Sequence, residues 1–230
     1  MRTLGLIGGM SWESTALYYR LINEGVRARL GGLRSASLLL YSYNFEPIRD
    51  MQSEGRWDEA GDSLARTAAT LEQAGAEAIV LATNTMHKVA DRIVAAVDIP
   101  LLHIADATAE RIRAAGLTRV ALLGTRFTME EPFYRERLAA RGVESLVPPP
   151  EAGAEVNRVI YDELCRGQVL AMSRERYRRV ILDLLYRGAE GVILGCTEIT
   201  LLIGEADAPA PVFDTTAIHA DAAAVFAADG

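Results

Sequence analysis

Two stretches decide the fold: "GAEAIVLATNTMH", Gly75 to His87, and "GAEGVILGCTEIT", Gly188 to Thr200. They align without a gap at an offset of 113 residues (188 − 75), almost half of the 230-residue chain. Each reads as a helix end, a buried strand and a polar turn. In the alignment Thr83 falls opposite Cys196, so one copy carries a hydroxyl where the other carries a thiol.

Working outward, the same rhythm runs through the chain twice. Apolar runs at 3–9, 35–43, 76–84 and 99–104 predict four strands, with helices at about 12–30, 57–74 and 85–97. The pattern restarts with strands at 119–125, 143–149, 190–197 and 210–215 and helices at about 129–141, 153–164, 173–187 and 216–227. Strand–helix alternation of this kind predicts an α/β protein with parallel sheets flanked by helices. "LGLIGGM" is similar to "VALLGTR", and "IPLLHIADAT" to "APVFDTTAIH", so the repeat covers a whole α/β unit. A unit of that size implies two lobes related by pseudo-twofold symmetry, not a solenoid. Open α/β sheets bind ligands beyond the carboxyl ends of their strands. Thr83 and Cys196, each just after a strand, are then expected to face one cleft from opposite sides.

The net charge of −7 and pI near 5.1 argue against a nucleic-acid partner. "MRTLGLIGGMSW" is too short an apolar run for a signal peptide, and no stretch reaches the length of a membrane span. Two cysteines are too few for a disulfide framework. A cytoplasmic protein without a membrane partner is the expectation.

Two acid/base groups on opposite faces of a small substrate suit stereoinversion at an acidic carbon: one removes a proton and the other delivers one to the far face. A thiol, with a pKa of about 8.5, is expected to become more acidic at a helix N-terminus. A threonine hydroxyl is a far weaker acid, suited to donating or relaying a proton and poor as a base. Pyridoxal phosphate needs a Schiff-base lysine, and the one lysine, Lys88, reads as a surface residue. His87, His103, His219, Cys165 and Cys196 show no zinc-ligand spacing. "GLIGGM" is not a dinucleotide fingerprint and reads as a tight turn offering backbone N–H groups to an anion. No cofactor and no metal are therefore expected. His103 reads as a satisfied strand-end residue, Cys165 as structural, and Trp12 and the Tyr18–Tyr19 pair as packing for the first helix or a subunit contact.

"GLIGGMSWEST", "ATNTMH", "LLGTRFTM", "IYDELCRG" and "GCTEITLLI" together resemble the aspartate/glutamate racemase family, the cofactor-independent amino acid racemases. The resemblance covers nearly the whole chain. It implies two Rossmann-like lobes, each a mostly parallel four-stranded sheet flanked by helices, with the active site in the cleft between them. The C-terminal segment returns to the first lobe, giving 1–100 plus 206–230 for the N-terminal lobe and 101–205 for the C-terminal lobe. The family's two catalytic cysteines correspond to Thr83 and Cys196. Asn84, Thr85 and Thr197 correspond to residues that hold the substrate α-carboxylate, and Met10 and Thr125 to turns lining the site. Gln52 and Arg166 correspond to positions that receive a side-chain carboxylate. Arg166 stands where much of the family has lysine, which keeps the charge and adds a bidentate fork. "GCTE" departs from the "GCTH" of glutamate racemases proper and points to the aspartate or broad acidic type. The Thr/Cys pair resembles a known sub-type, and with a hydroxyl replacing the first thiol the reaction is expected to be strongly biased to one enantiomer. The resemblance further implies a homodimer acting on a small acidic amino acid. Two other functions fit the same residues: an arylmalonate-type decarboxylase, which needs a single cysteine and an apolar pocket, and a non-catalytic binder of acidic amino acids.

Overall fold

The computed structural model describes residues 1–229. The chain runs β1 (Thr3–Gly8), α1 (Trp12–Leu30), β2 (Ser37–Ser42), α2 (Phe45–Ser53), α3 (Trp57–Gln73), β3 (Ala78–Leu81), α4 (Ala90–Val94), β4 (Leu101–Leu102) and α5 (Ile104–Ala114). It continues β5 (Arg119–Gly124), α6 (Arg126–Glu130), α7 (Pro132–Ala140), β6 (Glu144–Leu146), α8 (Pro150–Asp162), α9 (Ala171–Tyr186), β7 (Val192–Gly195), β8 (Val212–Asp214) and α10 (Thr215–Ala228). Short 3-10 turns follow the third strand of each set, at Thr85–Val89 and Thr197–Leu201.

The strands form two four-stranded parallel sheets with the same order, β2-β1-β3-β4 and β6-β5-β7-β8. All eight strands lie where the apolar runs predict them, and the α/β expectation holds. Two compact units contain them: residues 1–104 with 219–230, and residues 105–218. These boundaries differ from the expected ones. Residues 206–218 go with the second unit because β8 pairs with β7, and 101–104 go with the first because β4 pairs with β3. The chain returns to the first unit inside α10, not before it.

In the first unit alternate strand residues serve opposite faces, as the pleat requires. Ile7, Ile79 and Leu81 pack with Leu64, Ala68 and Ile93 of α3 and α4. Leu4, Leu6, Ala78 and Val80 pack with Tyr18, Ile22 and Val26 of α1 and with Ala220, Ala223, Ala224 and Ala227 of α10. The alanine stripe lets α10 approach α1 closely: a Cβ on Gly25 would sit 2.7 Å from that of Ala224. In the second unit Ala121, Leu123, Val192 and Leu194 pack with Val156, Ile160, Tyr177 and Ile181 of α8 and α9. Among the described residues no helix is long and apolar enough to cross a membrane. Tyr18 is buried as expected for a packing residue, whereas Trp12 and Tyr19 are exposed.

Two helical expectations shift. Residues 85–97 form a 3-10 turn followed by the short α4. The helix expected over 129–141 is two, α6 and α7, broken where Pro132 starts the second, since proline suits the first turn of a helix and not its interior. α2 goes unpredicted because its sequence, "FEPIRDMQS", is short and polar, although Asn44 caps it from its side chain.

Candidate active site

Each unit gathers candidate residues at the carboxyl edge of its own sheet. In the first unit β1 and β3 are neighbours, and Ala82 N–H continues the ladder to the Ile7 carbonyl at 2.9 Å. The turn after β1 is tied down by Thr15, whose hydroxyl accepts from Gly9 N–H at 2.8 Å and donates to the Ser11 carbonyl at 2.8 Å. Met10 is buried in this turn, within the apolar cluster that also holds Met51 and Met86. The turn after β3 presents Thr83, half-buried, followed by the buried Asn84 and Thr85. Asn84 is the residue before the 3-10 turn but makes no side-chain cap to it. Gln52 comes from α2 and is also buried. Its amide nitrogen donates to the Met86 sulfur at 2.9 Å, which brings it to the segment following Thr83.

In the second unit the ends of β5 and β7 approach closely at a glycine pair. A Cβ on Gly195 would lie 2.9 Å from the Leu123 carbonyl oxygen, and one on Gly124 would lie 3.1 Å from the Gly195 carbonyl oxygen. Just beyond are Thr125 and Cys196. Thr125 is buried and caps α6, its hydroxyl accepting from Thr128 N–H. Cys196 precedes the 3-10 turn Thr197–Leu201. Thr197 lies against Thr216, hydroxyl to hydroxyl at 3.1 Å, and the Thr215 hydroxyl fastens α10 to the Leu194 carbonyl at 2.9 Å. Arg166 is exposed, on a single 3-10 turn, Leu164–Arg166, that packs beside the turn bearing Thr197. The base of that Arg166 turn is tied down by the Glu163 carboxylate. Glu163 is buried and accepts from Ser173 Oγ at 2.5 Å and from Arg158 at 2.9 Å.

The thiol's state corrects an expectation. The Cys196 thiol donates to Glu198 Oε2 at 2.9 Å. Burial first, and the Glu198 carboxylate second, push its pKa well up from the usual thiol value instead of down. A one-and-a-half-turn 3-10 segment supplies little positive end, and an acidic residue in that turn cancels it. The group is held as a thiol with a carboxylate acceptor already in place.

Sequence reasoning missed Glu198 as the partner of Cys196, and it missed Tyr161. The Tyr161 phenol is pushed up by burial and then by nearby Cys196, Cys165 and Glu198, which places it in the same neighbourhood of the second unit. The acidic residue two positions after the cysteine was in plain view in "GCTE", but only a turn that folds back on itself makes those two side chains meet. Among the described residues no group of three or more His, Cys, Asp or Glu side chains is placed to hold a metal ion.

The sequence profile of Asp/Glu/hydantoin racemases matches residues 7–223. The chain belongs to that family. It is an amino acid racemase by that membership, and its two sheets are those of the racemase fold. An Asp/Glu racemase-family protein from Yersinia pestis is 56% identical, with 99% of each chain covered and a TM-score of 0.95. The aspartate racemase homologue of Pyrococcus horikoshii OT3 is 38% identical, with 99% of each chain covered and a TM-score of 0.87. The broad specificity amino-acid racemase RacX of Bacillus subtilis (strain 168) is 22% identical over 221 residues, 93% of each chain.

Proposed function

We propose that this racemase acts on acidic amino acids without pyridoxal phosphate, and that Cys196 and Thr83 serve opposite faces of the substrate α-carbon. The observation that carries the reading is positional. Thr83 is the second residue beyond β3 and Cys196 the first beyond β7, the corresponding strands of two sheets with identical strand order. Arg166, beside the Cys196 turn, supplies the cation for a side-chain carboxylate, and the similarity to the P. horikoshii aspartate racemase homologue points the same way.

Glu198 takes the proton from the Cys196 thiol, and the thiolate removes the α-proton of the enantiomer that presents it. The Thr83 hydroxyl then donates a proton to the opposite face. Water reprotonates the resulting alkoxide, and the hydroxide so formed takes the proton held on Glu198, which closes the balance. Run backwards, the route asks threonine to act as a base, for which its hydroxyl is poorly suited. Enantiomers have equal free energy in achiral solvent, so the inversion kcat/KM is the same from either side. The asymmetry therefore resides in proton exchange, and in kcat and KM taken singly.

The test is α-proton washout in heavy water, followed by NMR on both enantiomers of aspartate and glutamate. The expected result is fast washout from one enantiomer of an acidic amino acid, with washout from its mirror image at least about tenfold slower, the lower end of what a positioned general base contributes. Equal washout would contradict the Thr/Cys asymmetry, and washout confined to neutral amino acids would contradict the substrate class. The raised thiol also suits a decarboxylase that protonates an enolate from one face. Release of carbon dioxide from an arylmalonate without α-proton exchange would replace the racemase reading with that one.

A further inference from the structure

All three histidines of the chain lie together in the first unit, and all are buried. His87 is the middle ring. Its centroid is 4.4 Å from that of His103 and 5.8 Å from that of His219. His103 immediately precedes the point where the chain leaves this unit, and His219 is the residue at which it re-enters.

The hydrogen bonds fix each tautomer. His87 Nδ1 lies 2.8 Å from the Thr83 carbonyl, which only accepts, so Nδ1 carries the proton. Its Nε2 is then the bare acceptor for Ile104 N–H at 3.3 Å. His219 Nε2 donates to the Leu102 carbonyl at 2.7 Å, and its Nδ1 accepts from the Tyr18 hydroxyl at 2.9 Å. Both rings are thereby neutral, and neither has a nitrogen left over for a metal or a substrate. A proton on His87 Nε2 would point at an N–H, so the ring is a strut and not an acid or a base.

We infer that His87 is a positioning residue for Thr83: its imidazole ties the Thr83 carbonyl to the first N–H of α5 and so fixes the turn from which the Thr83 hydroxyl donates. The inference rests on the proton-donating role proposed for Thr83. Packing between two other rings prevents His87 from swinging, and its 3% exposure leaves no water to substitute for it. Misplacement of a reacting group by about 1 Å costs on the order of a hundredfold in rate, so a strut of this kind acts on the Thr83 step and not on the Cys196 step.

The two steps separate in one experiment. In heavy water, Cys196 alone exchanges the α-proton with retention, whereas inversion needs Thr83. The ratio of inversion to exchange therefore reports on Thr83, while general loss of folded enzyme lowers both together. His87→Phe keeps the ring and loses both hydrogen bonds. It is expected to lower the ratio at least about tenfold, with KM changed less than about twofold. His87→Asn restores a donor that reaches the Thr83 carbonyl, and it is expected to return the ratio to within about threefold of wild type. A wild-type ratio in His87→Phe would overturn the inference, as would exchange and inversion falling in parallel in both variants. Wild-type enzyme run alongside separates the two failures: if it neither exchanges nor inverts any acidic amino acid, the proposed reaction itself is wrong and the role of His87 falls with it.

Discussion

At Cys196 the local chemistry works against the usual way of making a thiolate. A reactive cysteine normally owes its low pKa to a cation or a helix N-terminus. Here burial and the carboxylate of Glu198 favour the neutral thiol, and the same carboxylate accepts the hydrogen bond from Sγ at 2.9 Å. Glu198 thus has two opposed effects: it suppresses the resting thiolate and accepts the proton when the reaction needs one. Glu198→Gln separates them. Removing the negative charge lets the thiol ionise at lower pH, so the pH profile for alkylation of Cys196 by iodoacetamide is expected to move downward. Losing the proton acceptor is expected to slow α-proton exchange at neutral pH by about tenfold or more, within the range of general-base contributions. Alkylation and exchange rising together would show that Glu198 only restrains the thiol. Thr83→Cys supplies a second thiol at the other position, and washout from the slow enantiomer is expected to rise, measured by the same NMR assay.

At the scale of elements, the site depends on where strands stop. Gly9 follows β1 with φ of 87°, and a Cβ there would lie 2.2 Å from the Tyr43 carbonyl oxygen. The clash is with backbone, not a movable side chain, and the left-handed conformation adds strain. Gly9→Ala is expected to cost about 2–3 kcal/mol and to lower Tm by roughly 4–12 °C, at about 2–4 °C per kcal/mol for a chain of this size, measurable by calorimetry. An unchanged Tm would mean that β2 and the β1 turn separate freely. The same strand ends show what was legible in the sequence. Eight apolar runs gave all eight strands because buried parallel strands are short, continuous and apolar, and the repeat singled out Thr83 and Cys196 because duplication preserves strand-end positions. The Cys196–Glu198 contact was not legible, since the side chains of residues two apart meet only where the chain turns tightly. Nor was the histidine stack, because His87, His103 and His219 come from three separate elements and converge only through sheet order and the return of α10.

For the whole molecule, the two units carry acid-sensitive groups of different kinds, and the pH windows follow from the sign of each shift. Burial lowers His219 in the first unit from 6.5 to about 4. Below pH 6.5 the unfolded chain binds a proton that the folded one refuses, so stability falls with pH until the folded group also titrates near 4. The loss by pH 5 is about 2 kcal/mol, and about 3 kcal/mol in full. In the second unit Arg158 foremost, with Arg176, holds Glu155 down to about 2. A depressed carboxylate contributes above pH 4.5 and loses that contribution as the pH falls toward 2. The optical reporter for separating these windows is built in, because both tryptophans, Trp12 and Trp57, belong to the first unit. Urea unfolding followed by tryptophan fluorescence is expected to show a stability loss between pH 6.5 and 4. His219→Gln keeps a donor for the Leu102 carbonyl but has no group that titrates in that range, so its stability, lower at pH 7, is expected to be flatter from pH 7 to 5. A fluorescence-detected stability that is level down to pH 4.5 in the wild type would contradict a neutral, buried His219. A pH slope unchanged in His219→Gln would place the acid sensitivity of the first unit elsewhere.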